Sequence, residues 1–169
     1  MNNKQNNSIK IKLTDESDTQ KIAVQISNFT KTGDIITLIG DLGCGKTTFA
    51  RAFINARTAI SEDVPSPTFT LLQTYEFPHK TGTIPVYHFD LYRIESIHEI
   101  EELGMDDAFL DGISLIEWPD RLGERLPSDR LDIILNQSKN TNDRQATLNF
   151  YGSWTSRFHS IINNTDKYD

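Results

Sequence analysis

Eight residues, Gly40-Asp41-Leu42-Gly43-Cys44-Gly45-Lys46-Thr47, follow the spacing G-x-x-x-x-G-K-[ST]. That spacing belongs to loops that wrap the phosphates of a nucleotide. Each residue type has a physical task in such a loop. Glycines bring the backbone close to an anion and turn successive N–H groups toward it. Lys46 is placed to reach the β and γ phosphates, and the Thr47 hydroxyl is placed to ligate Mg²⁺. A loop of this kind also needs an acid near the metal, usually at the end of a neighbouring apolar strand. Two acids meet that description: Asp90 after Val86-Tyr87-His88-Phe89, and Glu117 after Ile113-Ser114-Leu115-Ile116. Strand ends at the carboxyl edge of an α/β sheet face the ligand crevice, so both positions suit, and spacing does not choose between them. Thr68, in Ser66-Pro67-Thr68-Phe69, stands where a nucleotide-switch loop can carry a hydroxyl to phosphate or metal. His88 reads as a core or edge histidine. Trp118 suits core packing and a partner-facing anchor equally well.

The flanking elements must hold these residues in place. Ile35 to Ile39 is a short apolar run that reads as a buried strand. Thr48 to Ile54 reads as a helix, with Phe49, Phe53 and Ala56 at helical spacing, so its N-terminus points its dipole at the loop. Upstream, Ile9 to Leu13 alternates as a strand, and Ile22, Ile26 and Phe29 form one apolar helical stripe. A capping box from Ser17 and Gln20 is expected at that helix start. Downstream, Val64-Pro65-Ser66-Pro67 breaks regular structure. Thr70 to Phe77 and Ile84 to Tyr92 read as strands joined by a hairpin connection over 78–82. Ser96 caps a short helix ending near Gly104. Ile113 to Ile116, Leu131 to Leu135 and Ala146 to Tyr151 read as strands, and Trp154, Phe158, Ile161 and Ile162 as a closing helix. The chain is therefore expected to be α/β, with residues 1–8 a disordered tail, 9–162 one domain and 163–169 a second tail.

Composition bounds the partners. The 169 residues are 37% apolar and 24% charged, with a formal net charge of −7. That balance disfavours a chain whose main task is gripping nucleic acid by its phosphates. Cys44 is the single cysteine, so no intramolecular disulfide is expected, which suits a reducing cytoplasm. No apolar run reaches the ~20 residues of a membrane span, and the first residues lack the apolar core of a signal peptide. No N-K-x-D guanine-reading motif and no L-S-G-G-Q-like run follows the loop. A small-metabolite kinase remains open, with Arg121, Arg125 and Arg130 available for a lid. A nucleotide-sensing binding module also remains open.

The motifs together resemble one family. G-D-L-G-C-G-K-T-T at 40–48, S-P-T-F at 66–69, Y-H-F-D-L-Y-R at 87–93, E-E-L-G at 101–104 and I-E-W at 116–118 stand in the order found in the bacterial TsaE (YjeE) family. The resemblance runs from about Lys10 to Phe158. It implies a P-loop NTPase-like three-layer sandwich with a mixed central sheet. It also implies an ATPase, using ATP and Mg²⁺, that acts with the TsaB and TsaD proteins in making threonylcarbamoyladenosine at position 37 of tRNA. The tRNA would be met only indirectly. By position, the resemblance places Leu42, Gly43, Cys44, Gly45, Lys46, Thr47 and Thr48 on the phosphates, and Thr47 and Glu117 on the metal. It makes Asp90 the catalytic or metal-organising acid, supported by Lys46, and puts Thr68 in the switch loop. Glu16 falls near the adenosine end of the nucleotide and Arg144 is a second nucleotide contact. Cys44 stands where the family more often has alanine.

Overall fold

The strands and helices follow from two apolar periodicities that bury opposite faces of one sheet. In the computed structural model, the described residues are 7–58, 61, 63–137 and 144–165. Seven strands form a single sheet: β1 (Ser8–Leu13), β2 (Ile35–Ile39), β3 (Leu72–His79), β4 (Gly82–Asp90), β5 (Ile113–Glu117), β6 (Leu131–Gln137) and β7 (Arg144–Phe150). Their order across the sheet is β1-β7-β6-β2-β5-β4-β3. The centre is parallel, with β2 between β5 and β6 and β4 beside β5. The edges are antiparallel, β3 on β4 and β7 between β6 and β1. The expected mixed α/β sheet is thus the one observed.

Alternation along each strand sends side chains to two cores. Ile36 and Leu38 of β2 join Val86, Leu115 and Ile133 on one face. Against them pack Ile22, Ala23 and Ile26 of α1 (Glu16–Asn28) and Phe49, Phe53 and Ile54 of α2 (Lys46–Asn55). Ile35, Phe89 and Ile116 point the other way. They meet Ile100 of α3 (Ile97–Glu102), Met105 and Ala108 of α4 (Met105–Asp111), and Leu122 of a 3₁₀ segment over Pro119–Arg125. The result is helices on both faces of the sheet, the three layers such a strand pattern demands. On the α1 and α2 face, α5 (Phe158–Thr165) follows a 3₁₀ turn whose Trp154 is fully buried. Arg157 clamps that corner, with bonds from its guanidinium of 2.6 and 2.8 Å to the Asp34 carboxylate and its plane 3.8 Å from the Trp154 ring centre.

Several local expectations change in detail. The cap of α1 is Asp15, whose carboxylate accepts from Asp18 N–H at 3.1 Å. Ser17 lies inside the helix, and Gln20 pairs with Glu16 instead. An Asp one residue before the acidic first turn competes better for the dipole than the Ser two residues later. The hairpin is tighter than expected: β3 continues through Pro78 and His79, and only Lys80 and Thr81 separate the strands. Pro78 is tolerated because β3 is an edge strand. Strand β4 stops at Asp90, two residues short of Tyr92, and the seven residues of α4 are an element the apolar spacing did not announce. At the chain's ends, β1 begins at Ser8 and α5 runs to Thr165. No helix among the described residues is long and apolar enough to cross a membrane.

Candidate functional site

The topology gathers the chemistry at one edge. Strands β1, β2, β4, β5 and β6 run in the same sense, so their carboxyl ends share an edge with the start of β7. Chain connections leave β2 in both directions across the sheet, and such switch points open a crevice at the carboxyl edge. A cleft of ≈ 240 Å³ lies there. Leu42, Gly43, Gly45, Lys46, Thr47 and Thr48 line one wall, Ser66, Thr68, Asp90 and Tyr92 a second, and Glu117 and Trp118 the floor.

The first wall is backbone shaped by glycine. Gly40, Gly43 and Gly45 have φ of 148°, 78° and 110°, a region L side chains rarely adopt. A Cβ on Gly40 would sit 2.3 Å from the Leu135 carbonyl oxygen, so this position also needs glycine for close packing onto β6. Beside Gly43 and Gly45 nothing lies within 4 Å of a Cβ position, which leaves the loop's inner surface open. Gly45 is the N-cap of α2 and supplies no side-chain cap, and the helix has no acid in its first turn. Its first N–H groups therefore lack both an intrahelical partner and a covalently attached anion.

Lys46 is the charge of this wall. Its ammonium donates to Gly40 O at 2.7 Å and Asp41 O at 2.9 Å, and it sits 4.3 Å from the Trp118 ring centre. The residue is only 5% exposed. Among the described residues no carboxylate stands within ion-pair distance of it. A buried ammonium held by neutral carbonyls and an indole face suits an anion, since burying an unbalanced charge is costly. Cys44 packs beneath, with its thiol 3.8 Å from the Lys46 ammonium. Burial pushes that thiol upward from its ordinary pKa, with the nearby lysine charge opposing. Its environment is that of a packed small side chain rather than a nucleophile.

Asp90 and Glu117 end two adjacent strands and are paired directly in the register of β4 and β5, so their side chains leave the same face at the same edge. Both are nearly buried. The Asp90 carboxylate ties the second wall together. Its Oδ2 accepts from Thr68 Oγ at 2.8 Å and Ser66 Oγ at 3.2 Å, and its Oδ1 accepts the Tyr92 N–H at 3.0 Å. Glu117 accepts from His88 Nε2 at 2.9 Å through one oxygen. These are oxygen donors of the kind hard divalent cations take. Among the described residues no three His, Cys, Asp or Glu side chains are placed to hold a metal together. The set suits a cation that keeps waters and shares phosphate oxygens, the habit of Mg²⁺.

The two residues expected at the adenosine end, Glu16 and Arg144, lie apart on the same edge. Arg144 opens β7 and faces Leu13 and Gln137 in register, and Glu16 begins α1 three residues after Leu13. Strand β7 is two strands from β2, or about 10 Å at the usual spacing. Neither residue lines the cleft at the loop. Three contributors were not singled out from the sequence for the roles they have here. Ser66 shares the Asp90 contact with Thr68, a pairing that its place two residues earlier in the same turn could have suggested. Tyr92 packs its ring 4.9 Å from Trp118. His88 is fully buried yet bonded to Glu117. Trp118 takes left-handed backbone at φ 59°, which lifts its indole over Lys46 immediately after the strand ends.

Comparison with known proteins agrees with the fold. The family model described as "Threonylcarbamoyl adenosine biosynthesis protein TsaE" matches residues 13–146. The tRNA threonylcarbamoyladenosine biosynthesis protein TsaE of Bacillus subtilis is 35% identical, over 95% of this chain and 96% of its own. The protein of the same name from Rickettsia felis is 37% identical over 80% of this chain and 82% of its own. The crystal structure of Bacillus subtilis YdiB superposes with a TM-score of 0.72 at 31% identity, covering 96% of both chains.

Proposed function

The chain belongs to the TsaE family, and from that premise we propose that it binds and hydrolyses ATP as a component of the machinery that makes N6-threonylcarbamoyladenosine at position 37 of tRNA. In this reading it acts in the cytoplasm with the TsaB and TsaD proteins, supports their turnover, and meets tRNA only through them. The observation that carries the nucleotide reading is the buried Lys46 ammonium, without a carboxylate partner among the described residues, in the glycine-shaped wall of the cleft.

The residues divide the work. The N–H groups of Gly43, Gly45, Lys46, Thr47 and Thr48, at the loop and the start of α2, bind phosphate oxygens, whereas the Cys44 N–H donates to the Asp41 carbonyl. Lys46 exchanges its carbonyl bonds for phosphate and adds a charge-assisted contact. Thr47 and Glu117 would hold Mg²⁺, which when bound offsets charge on the phosphate oxygens. Asp90 stands across the cleft, where its carboxylate orients the attacking water or the metal's water shell. Ser66 and Thr68 hold Asp90 in the present arrangement, so the 66–69 loop is the element whose position the γ-phosphate would change. Arg144 and Glu16 lie along the edge toward which the base would extend.

Phosphate release by the purified chain, with and without TsaB and TsaD, tests the reading alongside a time course of tRNA modification. Slow release alone, faster release with both proteins, and few modification turnovers without the chain are expected. Equal modification with wild type, Lys46→Ala and no added chain would remove the pathway role. Phosphate appearing on a second small molecule instead of in solution would make the chain a kinase.

A further inference from the structure

His88 is a buried side chain with half of its hydrogen-bonding capacity unused. The residue is 0% exposed, Nε2 lies 2.9 Å from Glu117 Oε1, and Nδ1 has no partner. A carboxylate accepts, so Nε2 carries the hydrogen, and Nδ1 is left buried and unpaired. Such an atom costs stability. An aliphatic residue would fill this strand position, between Val86 and Asp90 on the α2 face, without that cost. The nitrogen that is used therefore accounts for the histidine. It sits on the neighbouring strand, two residues before the partner of Glu117 in the β4–β5 register. From there the ring reaches diagonally to the carboxylate at the edge. Only one Glu117 oxygen is engaged, and no hydrogen bond is made by the other to a described residue, while Glu117 lines the cleft.

We infer that His88 is a positioning residue: it fixes the Glu117 carboxylate by one oxygen so that the other is presented to a divalent cation carried in with the nucleotide. This rests on the nucleotide–metal reading of the cleft. Carboxylates that ligate metals are commonly held by such outer hydrogen bonds, and losing one weakens metal binding about 10- to 100-fold. The His88 ring is fully buried in the core, which holds the contact in place.

The test compares wild type, His88→Leu, His88→Gln and His88→Asn. Free Mn²⁺ is followed by paramagnetic resonance in the presence of a non-hydrolysable ATP analogue, and analogue affinity is measured separately in chelator. His88→Leu is expected to bind Mn²⁺ about 10- to 100-fold more weakly, with metal-free analogue affinity unchanged. The amide of Gln extends about as far as Nε2 and should recover most of the loss, whereas the shorter Asn should not. In turnover, the Mg²⁺ concentration for half-maximal rate should rise while the rate at saturating Mg²⁺ changes little. A merely structural role would lower both affinities together and would not separate Gln from Asn. If His88→Leu does not fold, the Gln and Asn pair carries the comparison. Equal Mn²⁺ affinity in wild type and the folded Leu or Asn variant overturns the inference alone. Failure of wild type to bind Mn²⁺ with the analogue overturns the nucleotide–metal reading and the inference with it.

Discussion

Two clefts in this molecule have nearly the same size and the same backbone device at their rim. One, of ≈ 240 Å³, opens at α2, and the other, of ≈ 250 Å³, opens at α4 among Ile100, Glu101, Met105, Leu122 and Arg125. Each helix starts from a glycine with left-handed backbone and no side-chain cap, Gly45 in one and Gly104 in the other. Volume and helix geometry do not tell them apart. Charge does. At α4 the first turn carries Asp106 and Asp107, which answer the helix dipole from within the chain. Among the described residues that line its cleft, the one cation, Arg125, is paired with Glu101. At α2 the first turn carries Lys46 and no acid, and the facing acids, Asp90 and Glu117, are buried across the gap. One cleft has its helix start answered by acids of its own first turn, and in the proposed reading the other would be completed by an anion, with a cation between it and the carboxylates.

Removing the lysine should break that difference most strongly. Lys46→Ala is expected to lose about 3 kcal/mol of nucleotide binding, on the order of 10²-fold in affinity, with turnover abolished. Arg125→Ala should leave both unchanged. Calorimetric titration of Mg·ATP into the two variants makes the comparison, and equal affinities would remove the phosphate assignment. The loop carbonyls of Gly40 and Asp41 lose their donor in Lys46→Ala, so a stability loss of about 1–2 kcal/mol should accompany it in denaturant unfolding. Next in size, Asp90→Asn should lower hydrolysis on the order of 10²-fold while Mg·nucleotide affinity stays within about 3-fold. The amide oxygen keeps the acceptor for the Tyr92 N–H, its NH2 faces the Thr68 and Ser66 hydroxyls, which can turn to accept, and the charge that orients water is lost. Rapid-quench turnover against equilibrium binding separates the two effects, and a parallel fall in both would make Asp90 a binding residue.

How much of this was legible in the sequence depends on whether the signal is local. The loop, its strand and its helix are contiguous, so spacing alone located β2 to the residue and α2 to within two at either end. Asp90 and Glu117 were legible as strand ends, but their direct pairing is a fact of register between segments 27 positions apart and no local pattern carries it. The same holds for His88, which reads as core until β5 is placed beside β4. Helix α4 escaped because its seven residues bury only Met105 and Ala108, too few to make a periodicity. Ser17 misled because a capping pattern was present where Asp15, two residues earlier, already filled the position. Trp118 was left between two roles, and its left-handed backbone over Lys46 is a tertiary outcome.

The smallest expected effects give the sharpest form of the comparison. Gly45 and Gly104 have φ of 110° and 65°, and a Cβ at either would meet nothing within 4 Å. Alanine therefore pays only the left-handed backbone penalty, about 1–2 kcal/mol, at both sites. Thermal unfolding should register similar losses in Gly45→Ala and Gly104→Ala. Function should not follow stability. The space beside Gly45 is where phosphate would lie against the backbone, so its new methyl blocks that approach and should weaken Mg·ATP binding about 10-fold or more, as the loss of one or two backbone contacts implies. The space beside Gly104 belongs to a cleft whose helix start is answered by its own Asp106 and Asp107, and Gly104→Ala should bind as wild type does once both are assayed well below their melting temperatures. If the two variants lost affinity in step with stability, the α2 N-terminus would be acting only as a fold element. A binding loss confined to Gly45→Ala would show that equal clefts with equal backbone are distinguished by what is left unpaired within them.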